Sequence, residues 1–309
     1  MARGTLLRRC FSATQSLSST DLLNFAQSQQ VGGKYPIYAS HTATLAVLRA
    51  VQRMRPAWWS DECETFVASV AASTCGESLA HAPAEARHAV FIVEGLDGVG
   101  KTTVTTNLAE KLAGARICTP DPSLDRVRKH FQQLEELLMR AFYCGANYLA
   151  ADQIAAAAAT GPVVVDRWYA STCGMALVNA VAAGALPALP DQGDPVYRWP
   201  SDLPPFDVAV VLDVDEDIRA KRMAKRGGDP KKHEAKLAAS RKMREDVLEA
   251  YCRMGCERVE AQTYMQFFNS ILDIYDRRGA EAPSARLLGK LKEPATRYTA
   301  DELRTITPY

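Results

Sequence analysis

The chain has no apolar stretch approaching the length a membrane-spanning helix needs, and its alanine run at 155–159 is short and flanked by polar residues, so no membrane partner is expected. It also has almost no net charge, 37 Lys and Arg against 36 Asp and Glu giving +1. A global field that would draw it onto nucleic acid is therefore excluded, and any phosphate recognition has to be built locally. The cysteines, Cys10, Cys63, Cys75, Cys118, Cys144, Cys173, Cys252 and Cys256, form no C-x-x-C cluster and have no His at ligand spacing. Zinc sites are thus not expected. Cys252 and Cys256 would share a face of a helix, where a redox pair is the alternative to two incidental thiols. Internal repeats are missing, and so is the Asn-Lys-x-Asp run that a guanine-reading switch requires.

What remains is 309 residues with 47% hydrophobic content, enough for one large α/β domain and an appendage. Residues 1–20 hold Arg3, Arg8, Arg9, many Ser and Thr, and no acid before Asp21. That composition suits a transit peptide and mitochondrial import, with plastid or cytoplasmic placement as the alternatives, and the lack of a long apolar core argues against secretion.

The most informative segment is 91–103, Phe-Ile-Val-Glu-Gly-Leu-Asp-Gly-Val-Gly-Lys-Thr-Thr. From Gly95 to Thr102 it fits the phosphate-loop pattern G-x-x-x-x-G-K-[ST] directly after an apolar strand. Gly95, Leu96, Asp97, Gly98, Val99, Gly100, Lys101, Thr102 and Thr103 are thus the expected ATP-binding residues. The glycines let backbone N–H groups point inward, Lys101 reaches the β and γ oxygens, and the Thr102 hydroxyl completes a Mg²⁺ shell.

From residue 89 onward apolar runs alternate with helical periodicity, the pattern of parallel βαβ units. Strands are expected at 90–93, 163–165 and 208–212, with weaker ones near Ile117 and at 258–259. Helices are expected at about 101–113, 124–140, 142–159, 171–183, 216–226, 234–254 and 263–278. The domains read as a helical N-terminal extension at 21–87, a nucleotide-binding domain at 88–280 with a lid near 226–233, and a polar tail at 281–309. The extension breaks at Arg55-Pro56, and its Trp58 and Trp59 read as packing residues rather than a ligand platform. The Pro-rich connection 186–205 is long enough to suggest function.

Two constellations carry chemistry. The strand at 163–165 ends in Asp166-Arg167-Trp168, placing a carboxylate and a guanidinium at the carboxyl edge of the sheet. Arg167 suits an acceptor monophosphate, and Asp166 suits a Mg²⁺-bound water or an arginine partner. The helix after the fourth strand carries Arg219, Arg222 and Arg226 on one face. Arginines closing over a transferring phosphoryl group would stabilise its spread charge, against the plainer reading of a cationic last helical turn. No histidine is needed as a base, and His88 and His233 read as packing or capping residues.

The loop string, the Asp166-Arg167-Trp168 strand end and Arg222-x-x-x-Arg226-Gly227 together resemble the thymidylate kinase family of nucleoside monophosphate kinases. Arg140-Ala-Phe-Tyr143, Asn147-Tyr148 and Pro195-Val-Tyr-Arg-Trp-Pro200 are similar to its mitochondrial UMP-CMP kinase 2 branch. The resemblance covers about 88–270. It implies a phosphate-loop fold with a five-stranded parallel sheet flanked by helices, ATP and Mg²⁺, small-molecule nucleotide substrates, and a homodimer. It also implies that Asp97 meets the acceptor sugar, that Arg167 grips the acceptor phosphate, that Arg140 belongs to the acceptor side, and that Phe142 or Tyr143 stacks on the base. The family's acceptor-loop Glu/Asp-Arg dipeptide reads Asp121-Pro122 here, leaving Arg126 or Arg128 as a second phosphate arginine, or none. The loop has Gly98 and Val99 where some relatives place an arginine, so Lys101, Arg167, Arg222 and Arg226 are the expected catalytic set. The expected reaction is phosphorylation of UMP, CMP or their deoxy forms, with thymidylate kinase activity or a catalytically weak nucleotide-binding regulator as rivals.

Overall fold

The sheet is built where the sequence is most uniformly apolar. In the computed structural model, which describes residues 18–80, 87–226, 237 and 239–279, five parallel strands run in the order β2-β3-β1-β4-β5. They are β1 Val90–Gly95, β2 Ala115–Cys118, β3 Val163–Asp166, β4 Val208–Asp213 and β5 Glu257–Glu260. Strands β1 and β3 are buried along their whole length, because helices cover both faces and no alternation with polar residues is needed. In register, Ile92 pairs with Val165 and with Ala209, so β1 lies between β3 and β4. The chain leaves β1 between these two neighbours, and the crevice at the carboxyl ends of β1 and β3 is where an open α/β sheet binds ligands.

The helices are α1 Ser19–Ser28, α2 His41–Met54, α3 Asp61–Ala72, α4 Glu77–Ala80, α5 Lys101–Lys111, α6 Asp125–Phe131, α7 Glu136–Ala158, α8 Tyr169–Ala182, α9 Glu216–Arg226, α10 Arg241–Arg253 and α11 Tyr264–Gly279. Expected boundaries move in two places: the helix expected over 234–254 is capped at Ser240 and runs as α10 only from Arg241 to Arg253, which leaves Cys256 off it, and the other change lies before α7. The helices expected at 124–140 and 142–159 are instead a two-turn α6 and one continuous α7, divided at 132–135 rather than at 141. Nothing at 141 breaks a helix, and α7 starts only after Glu135 leaves helical geometry at φ -52° and ψ 145°.

The N-terminal helices α1 to α4 all pack against α7. Serines cap α2 and α3, the Ser40 and Ser60 side chains accepting from the amides of Ala43 and Cys63. Helix α2 stops at Arg55, in the left-handed region at φ 44°, just before Pro56, since the residue before a proline is pushed out of helical geometry. The connection 186–205, expected to carry function, braces the fold instead: Trp199 donates its indole N–H to the Met254 carbonyl (2.9 Å) and packs on Phe206. None of its residues lines the cleft described below. Residues 1–17 of the expected transit peptide 1–20, residues 227–233 of the expected lid 226–233 with His233, and the expected tail 281–309 lie outside the described residues. Among the described residues no helix is long and apolar enough to cross a membrane.

Candidate active site

Strand β1 runs straight into the phosphate loop, and the loop's shape depends on its glycines. Gly95 sits at φ 145°, where a Cβ would lie 2.7 Å from the Leu212 carbonyl oxygen. Gly98 sits at φ 89°, where a Cβ would lie 2.7 Å from Met223 Cγ. Gly100, at φ 98°, precedes α5 without any side-chain cap, so the first-turn amides of that helix are left for an anion. All nine residues from Gly95 to Thr103 line one cleft of about 1410 Å³. The Lys101 ammonium curls into the loop, donating to the Leu96 carbonyl (2.6 Å) with Asp97 at 3.9 Å. Burial pulls it down to about 8, helped by the Arg167 guanidinium and opposed by Asp97.

Across the loop stands the end of β3. Arg167 takes φ 68°, an uncommon conformation for a non-glycine residue, and its amide still bonds the Val93 carbonyl (3.0 Å). Its side chain donates to Asp97 Oδ1 (2.5 Å) and to Ser171 Oγ (3.2 Å). Asp97, Lys101 and Arg167 therefore form one chain of contacts spanning the cleft floor. Asp166 Oδ2 accepts from Thr102 Oγ1 (3.2 Å) and from Arg116 Nη2 (2.5 Å), so this carboxylate joins the loop hydroxyl to an arginine on β2.

Beneath them lies Glu94, a fully buried acid within the apolar β1. Its carboxylate accepts the amides of Trp168 (2.8 Å) and Ser171 (3.1 Å) and the Ser171 hydroxyl, so β1 caps the start of α8. Burial raises its pKa, while the Ser171 bond and Arg167 oppose that. Sequence reasoning missed the roles of Glu94 and Arg116; the available signal was a charge inside each strand, where an unpaired one is costly.

The three α9 arginines separate in role. Arg219 is buried, ion-paired with Glu216 (2.8 Å), and donates to the Asp97 carbonyl (2.9 Å), so it props the loop and does not line the cleft. Arg222 bridges the carbonyls of Val99 (2.9 Å) and Gln262 (3.0 Å) at the cleft edge, and Arg226 lines the cleft as well.

Away from the phosphate loop the same cleft extends into a second lobe, walled by residues of α6, α7 and α8. Of the two candidate phosphate arginines, Arg128 lines it, whereas Arg126 is exposed and pairs with Glu62 (3.3 Å) outside the cleft. Phe142, expected with Tyr143 as a stacking residue, is corrected. It is fully buried between Phe66 and Phe131, at ring distances of 5.1 and 5.7 Å, because that side of α7 faces the N-terminal helices. Tyr143, one residue on, faces the cleft, with its hydroxyl accepting from Gln132 Nε2 (3.0 Å) and the Arg140 guanidinium 5.6 Å from its ring centre. Arg140 is itself buried and held by Glu136 through Nε (2.8 Å), and Asn179 donates to the same carboxylate oxygen (3.0 Å). Glu136, Asn147, Thr172 and Asn179 also line this lobe and were not singled out from the sequence as site residues.

Among the described residues no group of three or more His, Cys, Asp or Glu could cage a metal. Thr102 and Asp166 are the adjacent oxygens available to Mg²⁺, a hard cation that binds through one or two protein oxygens and completes its shell with phosphates and water, with Arg116 already on the Asp166 oxygen that meets Thr102.

A phosphate loop opening onto a helix N-terminus, beside a second lobe lined by guanidinium groups, defines a phosphate-loop α/β protein built to hold nucleotide phosphates. The chain belongs to the thymidylate kinase family, whose sequence model, described as Thymidylate kinase, matches residues 93–265. It is 35% identical over 175 residues to human mitochondrial UMP-CMP kinase 2, a match that covers 56% of this chain and 39% of that protein. The chain thus spans about two fifths of that relative's length. Among solved structures it is similar to the thymidylate kinase of Candida albicans (TM-score 0.48, 18% identity, 62% of this chain and 92% of that one). It is also similar to the deoxyadenosine kinase of M. mycoides with bound dCTP (TM-score 0.39, 15% identity, 61% of this chain and 99% of that one).

Proposed function

We propose that this protein transfers the γ-phosphoryl group of ATP to a pyrimidine nucleoside monophosphate, UMP, CMP or a deoxy form, giving the diphosphate. The observation that carries this reading is the single cleft shared by the phosphate loop and by the lobe holding Arg128, Arg167 and Tyr143. Two polyanions placed there face each other across Lys101 and Arg167. The acceptor phosphate is the nucleophile and is already anionic near neutral pH, so positioning and charge neutralisation matter more than a general base. Lys101 and the loop amides hold the donor phosphates, Arg167 and Arg128 hold the acceptor phosphate, and Tyr143 lies against the base. Arg222 and Arg226 flank the transfer point, where a preorganised guanidinium stabilises the spread charge of the transition state. Thr102 and Asp166 would hold magnesium, which would supply further neutralisation of the phosphate oxygens.

Purified protein assayed with ATP against UMP, CMP, dUMP, dCMP and dTMP tests this, and diphosphate formation from uracil or cytosine nucleotides is expected. Thymidylate kinase activity is the second reading, favoured by the family description; a preference for dTMP of more than about tenfold, some 1.4 kcal/mol of discrimination, would establish it instead. Mitochondrial placement is proposed on the N-terminal composition and the mitochondrial relative. Imaging with and without residues 1–20 checks it, an unchanged distribution counting against import. A homodimer is proposed on the family resemblance and is checked by light scattering.

A further inference from the structure

The second lobe has an outer side, and the N-terminal helices cover it. Helix α6 and the start of α7 carry Arg128, Glu136, Arg140 and Tyr143 into the cleft, while their other faces bury Val127, Phe131, Leu138 and Phe142. Against that apolar side stand three aromatic residues of the N-terminal segment. Phe66 lies 6.2 Å from Phe131 and 5.1 Å from Phe142, ring centre to ring centre. Trp59 lies 6.3 Å from Phe131, and Trp58 lies 5.8 Å from it. Trp58 also stacks on His130 at 5.5 Å with the rings only 6° from parallel. The Tyr38 hydroxyl donates to the Leu137 carbonyl (2.9 Å), and Gly145 seats the segment so closely that a Cβ would come within 3.0 Å of Phe66 and 3.1 Å of Leu48.

Helix α6 is seven residues long, too short to hold itself, so its place is set by what it packs on: α3 on one side and α7 on another. The loop that would hold ATP is built from other elements, β1, α5 and α9. A shift in α6 therefore moves Arg128 and the rim of the second lobe without moving the phosphate loop.

We propose that residues 18–80 are a positioning segment for the acceptor nucleotide: Trp58, Trp59 and Phe66 fix α6 and the start of α7 so that Arg128 and Tyr143 meet the monophosphate in place. This rests on the reading of the second lobe as the acceptor site. Its distinguishing consequence is that acceptor affinity, and not ATP affinity, depends on residues that touch neither ligand.

The test is calorimetric titration of the full chain and of its Trp58→Ala and Trp58→Phe variants with ATP·Mg²⁺, and separately with UMP, CMP, dUMP, dCMP and dTMP. Trp58→Ala is expected to weaken the best monophosphate about tenfold, the scale of one lost aromatic stack. ATP affinity should stay within about twofold, as for a distant and independent site, which also shows that the variant is folded. Trp58→Phe should recover most of the monophosphate affinity. Unchanged monophosphate affinity in Trp58→Ala overturns the inference and leaves the kinase reading standing, and an equal loss of both affinities overturns it as general destabilisation. Wild-type protein that binds ATP and none of the five monophosphates overturns the acceptor reading itself, and the inference with it.

Discussion

At the scale of single residues, the site's logic lies in where Arg167 is held. Its left-handed backbone and its bonds to Asp97 and Ser171 aim the guanidinium across the loop, toward the place an acceptor phosphate would take. Arg167→Ala should lower diphosphate formation by at least about 10²-fold, the scale seen when one preorganised donor is removed from a transition state. ATP binding should survive, and equilibrium titration with ATP distinguishes this outcome from unfolding. Glu94 serves that arginine from below. In Glu94→Ala the amides of Trp168 and Ser171 lose their buried acceptor, so chemical denaturation should show a loss of at least about 2 kcal/mol. Activity would fall too, since Ser171 is shared between Glu94 and Arg167. The phosphate loop was legible from sequence because its fixed positions are demanded by backbone shape, in Gly95 and Gly100, and by phosphate and metal chemistry, in Lys101 and Thr102. Glu94 was not, because an acid beside a motif reads as a flank until its partners are seen. Arg126 against Arg128, and Phe142 against Tyr143, could not be separated for a related reason. Each pair sits on one short stretch of helix, and which member faces the cleft follows from the burial of Phe131 and Phe142 against Phe66, far away in sequence.

At the scale of elements, β1, β3 and β4 were readable because strands buried on both faces must be continuously apolar. The division between α6 and α7 was not, since 132–135 contains neither glycine nor proline and the turn there is imposed by packing. Helix α8 shows how tightly these elements fit. At Gly174 an added Cβ would lie 2.8 Å from Tyr251 Cε1, and Tyr251 is fully buried on α10. Alanine favours a helix interior over glycine by about 1 kcal/mol, but overpacking a rigid core costs about 1–3 kcal/mol. Gly174→Ala should therefore destabilise the protein by about 1 kcal/mol net and lower its melting temperature by a few degrees, as scanning calorimetry would show. A higher melting temperature would mean that the α8 and α10 interface yields more easily than its geometry indicates.

At the scale of the whole molecule, the sheet edge supplies the phosphate loop and Arg167, α9 supplies Arg222 and Arg226, and α6 to α8 supply the second lobe, all around one cleft. Donor and acceptor would thus be neighbours in a single cavity rather than occupants of separate sites. The most direct measurement is titration with a bisubstrate compound, an adenosine joined to a pyrimidine nucleoside through a bridging oligophosphate. It should bind with one molecule per chain, exclude both ATP and the monophosphate, and at 100 times its dissociation constant stabilise the fold by about 2.7 kcal/mol. A compound that displaces ATP while the monophosphate stays bound, or that binds twice per chain, would contradict a shared cleft for phosphoryl transfer.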